Sequence, residues 1–76
     1  MRRYHDGAGR PWDIIIGRES FGTLLALFVP AAENREAPRQ AVLGAESHAD
    51  AEAALEAMQP DELEGLFERS QPKEMG

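Results

Sequence analysis

The chain contains no cysteine. That excludes a disulfide and a thiolate-bound zinc, two of the usual staples of a small scaffold, and it suits a cytoplasmic location. Long apolar runs are also missing. The longest, from Phe21 to Ala32, is twelve residues, against roughly 20 for a bilayer-spanning helix. Met1-Arg2-Arg3 has the charge of a leader segment, but Tyr4-His5-Asp6-Gly7 stands where a leader needs apolar residues. The expectation is a soluble chain without membrane contact. Basic charge is scarce: eight Lys and Arg oppose fourteen Asp and Glu, for a net charge of −6. No basic stripe with interleaved aromatics is present, which argues against nucleic-acid binding. Histidine occurs only as His5 and His48, without the spacing of a metal-ligand pair, so neither a metal nor another cofactor is expected.

At 76 residues the sequence supplies one domain, residues 1–76, with 72–76 expected to be a flexible tail. Such a domain buries only about 60% of its unfolded surface, so its stability margin is thin. Asp6-Gly7-Ala8-Gly9 has the composition of a tight turn and predicts a hairpin between strands over Arg2–His5 and Pro11–Gly17. Ile14-Ile15-Ile16 is β-branched and favours a pleated surface. A third strand is expected over Thr23–Val29, ended by Pro30, and a fourth over Arg39–Leu43 after a loop. Ser47, with Asp50 three residues on, has the spacing of a helix cap. The helix over His48–Met58 then puts Ala51, Leu55 and Met58 on one stripe. Pro60 suits the first turn of a second helix, which Asp61 and Glu62 favour through the helix dipole. Leu63, Leu66 and Phe67 form its stripe, and it should fray by Gln71-Pro72. The expected class is α+β: a three- to four-stranded antiparallel sheet with two short C-terminal helices on one face.

Side chains on a strand alternate between faces. Trp12, Ile14, Ile16, Leu24, Ala26 and Phe28 make the simplest set beneath the helices. Ile15, Leu25, Leu27 and Val29 are then left on the other face, with Leu43 or Ala41 as further candidates; register across the Gly17–Gly22 turn could reverse the parity of the third strand. Full burial of each large aliphatic is worth roughly 1.5–3 kcal/mol, or on the order of 12–24 kcal/mol for two copies. Association costs an estimated 4–15 kcal/mol. The expected partner is therefore a second copy, with Ile15, Leu25, Leu27 and Val29 as the interface. The competing arrangement is a monomer in which the 30–38 loop or the first strand folds over that face.

Catalytic signals do not survive scrutiny. Ser20 in Gly17-Arg-Glu-Ser-Phe-Gly22 lacks the Gly-x-Ser-x-Gly spacing of a nucleophile elbow and reads as a turn residue. Gly7-Ala8-Gly9 lacks the third glycine and following helix of a dinucleotide fingerprint. Glu62, Glu64 and Glu68 imply no apolar pocket with a partner acid. No enzyme is expected. Tyr4-His-Asp-Gly-Ala-Gly-Arg-Pro-Trp12, with the closing Gln59-Pro-Asp-Glu-Leu-Glu-Gly-Leu-Phe67 helix, resembles short uncharacterised bacterial proteins that open with a Tyr/Asp/Gly-Arg-x-Trp hairpin and close with an acidic helix. That resemblance implies no activity and no site residue. The functional expectation is a small accessory or regulatory protein acting through protein–protein contact as a homodimer. The alternative is a ligand-binding module with a pocket between sheet and helices near Trp12.

Overall fold

Asp6 and Gly9 set the first turn. The Asp6 carbonyl accepts from Gly9 N–H at 2.8 Å, and Asp6 N–H donates to the Arg10 carbonyl at 3.0 Å. Gly9 sits at φ 80°, a conformation that side chains disfavour. In the computed structural model, which describes residues 1–19 and 22–73, this turn joins β1 (Arg2–His5) to β2 (Pro11–Arg18). The chain continues through β3 (Leu24–Pro30), β4 (Arg39–Val42), α1 (His48–Ala57), α2 (Pro60–Glu68) and β5 (Gln71–Pro72). The turn reading of Ser20, the start of the apolar run at Phe21 and the end of the tail, 74–76, lie outside the described residues.

Among the described residues the strands form one antiparallel sheet in the order β1-β2-β3-β4-β5. The α+β class and its antiparallel sheet are as expected, but there are five strands rather than three or four. The extra strand is the segment expected to fray and run into a tail. Gln71 pairs with Gln40, and Pro72 with Arg39. Lys73 N–H donates to the Pro38 carbonyl at 2.8 Å, while Arg39 reaches back to Ser70 through Nε to Oγ at 2.7 Å and Nη2 to the carbonyl at 2.6 Å. Long-range main-chain and arginine contacts hold this strand, so no local alternation announces it.

Both helices begin where the caps place them. Ser47 Oγ accepts from Asp50 N–H at 3.1 Å, and Pro60 opens α2, where Gln59 N–H donates to Glu62 Oε1 at 3.3 Å. Ala51, Leu55, Leu63 and Leu66 enter one buried cluster with Tyr4, Trp12, Ile14, Leu24, Ala26 and Phe28, and Ile16, Met58 and Phe67 pack against it. Apart from Tyr4, which β1 adds from the edge of the sheet, this is the expected core set. Phe67 is its aromatic hub, with ring centroids 5.1–5.3 Å from those of Tyr4, Trp12 and Phe28. The Arg39 guanidinium lies 5.3 Å from the Phe67 centroid and caps the cluster at the surface. The Cα atoms span 32 × 32 × 19 Å. The short dimension accommodates a sheet and one helical layer, with no third layer.

Candidate functional site

Register decides what lies on the sheet face away from the helices. Directly opposed residues share a face, so Ile15 with Leu27, Gly17 with Leu25, and Asp13 with Val29 project together. β4 adds Val42 beside Leu25, and Gln40 beside Leu27. Ile15, Leu25, Leu27 and Val29 thus occupy one face, as their alternation implied. Leu43 and Ala41 do not join them; both are buried in the helix-side cluster. The residue that does is Val42, because β4 pairs with Ala41 opposite Ala26 and so turns Val42 outward. The small apolar content of Arg39-Gln-Ala-Val left that parity open in the sequence. Val42 is signalled only by its β-branched chemistry.

The face remains open in the single chain. Ile15 and Val29 are each 38% exposed and Val42 is 60% exposed. Neither segment of the competing arrangement covers it. Asn34 Nδ2 donates to the Pro11 carbonyl at 2.8 Å, and Arg10 Nη1 meets Glu36 Oε1 at 2.6 Å. These bonds tie the loop after β3 to the first hairpin, while β1 lies in the sheet as its edge. Polar groups bound the patch. Arg3 Nε donates to Asp13 Oδ1 at 2.7 Å on one side, and Gln40 and Gln71 stand on the other.

Two local features shape the patch. An added Cβ at Gly17 would lie 2.6 Å from Leu27 Cδ1, so the missing side chain is what lets Leu27 lie flat across β2. Leu25, beside it, is only 4% exposed. Leu25 has therefore lost its water before any partner arrives, and Ile15 and Val29 have lost more than half of theirs. Stacking two such faces gains on the order of 4–8 kcal/mol from these side chains, near the lower end of the cost of association. The gain expected from full exposure was too large. A dimer through this face would be weak and would dissociate on dilution.

Trp12 takes part in a different construction. Its Nε1 donates to Asp6 Oδ2 at 3.0 Å, and Arg10 Nε donates to the same oxygen at 3.1 Å. Asp6 Oδ1 accepts from the N–H groups of Ala8 at 2.8 Å and Arg10 at 2.9 Å. Burial pushes the Asp6 carboxyl up, but the Trp12, Arg10 and Ala8 hydrogen bonds overrule it and hold its pKa down at about 2, from 3.8. Asp6 is thus an ionised anchor for the hairpin and the tryptophan, with its hydrogen-bonding capacity spent inside the fold. Tyr4 shifts upward, first through burial and then through the negative charges of Glu64, Asp6 and Glu68. The cavity beside Trp12, bounded by Arg10, Glu36, Arg39, Phe67 and Pro72, measures about 230 Å³, below the roughly 300–1,000 Å³ usual for ligand pockets. A larger cleft of about 630 Å³ lies between the hairpin and the loop at Ala32–Glu36, and Trp12 does not line it. Among the described residues no three His, Asp or Glu side chains are grouped to hold a metal ion, and no helix is long and apolar enough to cross a membrane.

No protein-family model, curated protein or solved structure matches this chain.

Proposed function

We propose that this protein is a small accessory or regulatory protein that works through protein–protein contact, as a homodimer whose copies stack their open sheet faces. The observation that carries the reading is the exposed patch of Ile15, Val29 and Val42 around Leu25 and Leu27, bounded by Arg3–Asp13 and by Gln40. An apolar centre with a polar rim is the anatomy of an interface. A two-fold arrangement lets each patch meet its own copy. Catalysis is not part of this role.

Light scattering across a dilution series tests it. The mass should move from twice the chain toward one chain as concentration falls, and Ile15→Glu should hold it at one chain throughout. A single-chain mass for the unmodified protein at about millimolar concentration, where interfaces of even about −4 kcal/mol are populated, removes the proposal.

A further inference from the structure

The two edges of the sheet are built differently. At β5 the strand is two residues long. Lys73 N–H points inward to Pro38, so by alternation the position facing outward is Pro72, which has no N–H to offer. That edge is closed. At β1 the Ala31 N–H donates to the Pro11 carbonyl at 3.1 Å, so Pro11 turns its carbonyl to β3 and away from β1. His5, paired with Pro11, therefore directs its own N–H and C=O outward, and Arg3, two residues earlier, does the same. Among the described residues no strand stands on that side of β1.

A groove of about 410 Å³ runs beside this edge, between β1 and the start of α2. Tyr4 and Leu63 give it an apolar base, and Pro60 and Glu64 its far wall. Of the other charged groups lining the groove, Arg2 is committed to the Leu55 and Glu56 carbonyls and Asp6 to the hairpin. Glu64 is exposed on the helix side with no ion-pair partner among the described residues. On the open face Arg3 uses only Nε for Asp13, and its side chain is 53% exposed.

We propose that the β1 edge takes up an extended segment of another protein as an added antiparallel strand. Two main-chain pairs, at Arg3 and His5, fix its register. The residue opposite Tyr4 points into the groove, where a lysine or arginine can lay its stem on Leu63 and bring its cation to Glu64. The neighbouring residue opposite Arg3 points to the other face and is acidic. The partner is thus a strand in which a cationic residue adjoins an acidic one, held by backbone bonds and selected by these two charges. Face-to-face stacking of two copies leaves this edge free, so the proposal stands or falls independently of the dimer.

The probe is a blocked nine-residue peptide with threonines flanking a central Glu-Lys-Glu, added to the full chain and read by amide hydrogen exchange. The Arg3 amide should slow by about tenfold or more at saturating peptide. A peptide with the central charges exchanged to Lys-Glu-Lys should bind about tenfold more weakly, since both ion pairs reverse. His5→Pro removes only an outward N–H and should abolish the protection, while His5→Ala, which keeps that N–H, should retain it. Unchanged exchange at Arg3, or equal binding of the two peptides, overturns the proposal. So does protection of Arg3 that rises with protein concentration without peptide, because the edge then belongs to a second copy.

Discussion

The two faces of the sheet differ by one residue of phase and by almost everything else. On one, Ile14, Ala26 and Phe28 are sealed under the helices with the aromatic hub of Phe67. On the other, Ile15, Leu27 and Val29 come from the same strands in the same register but meet no second layer. The same β-branched and aliphatic chemistry therefore serves stability on one side and is left uncovered on the other. Burial, not residue type, separates the two faces.

Substitutions on each face should separate in the same way. Phe28→Ala should have the largest effect: it removes a fully buried ring from the hub, at a cost of about 3–5 kcal/mol. In a domain this small that is enough to leave much of the chain unfolded in a denaturant or thermal melt at room temperature. Next comes Asp6, which anchors the end of the core face. Its folded pKa of about 2 lies below the ordinary 3.8, so its contribution is fully present above about pH 4 and is lost as pH falls toward 2. The shift corresponds to about 2 kcal/mol, and Asp6→Asn should flatten that part of a stability–pH profile.

Open-face changes should leave the fold alone. Val42→Glu should shift the melting temperature by only a few degrees, corresponding to about 0.5 kcal/mol or less, yet weaken self-association by about tenfold or more, since it brings two carboxylates into the stacked apolar layer. Gly17→Ala sharpens the test, because its methyl must push Leu27 up from the sheet. Its effect on the association constant should exceed its effect on unfolding. Arg3→Ala, at the rim, should change either quantity by less than about 1 kcal/mol. An open-face variant that costs as much stability as Phe28→Ala would erase the distinction between the faces.

Much of this contrast was legible in the sequence. The Asp6–Gly9 turn, the caps at Ser47 and Pro60, and the alternation along β2 and β3 are local signals, and each sits where the sequence puts it. What escaped was non-local. Gln71-Pro72 has no strand pattern of its own and becomes β5 through bonds to Pro38, Gln40 and Arg39. The parity of β4 depends on pairing with Ala26, which four residues of mixed character do not dictate. Asp6 reads as a turn former, and its hold on Trp12 appears only once the hairpin brings the indole back to it. That Ile15, Leu25, Leu27 and Val29 share one face was legible in their alternation. The strength of the patch was not, because alternation says which way a leucine points but not how much water its neighbours have already removed.

The central claim is that a second copy sits on the open face, and contacts between isotopically distinct copies address it most directly. In an equal mixture of labelled and unlabelled chains, intermolecular nuclear Overhauser effects should connect the methyl groups of Ile15, Val29 and Val42 of one copy with those of its mate. A dimer whose intermolecular contacts arise elsewhere, with these methyls silent, would contradict the account.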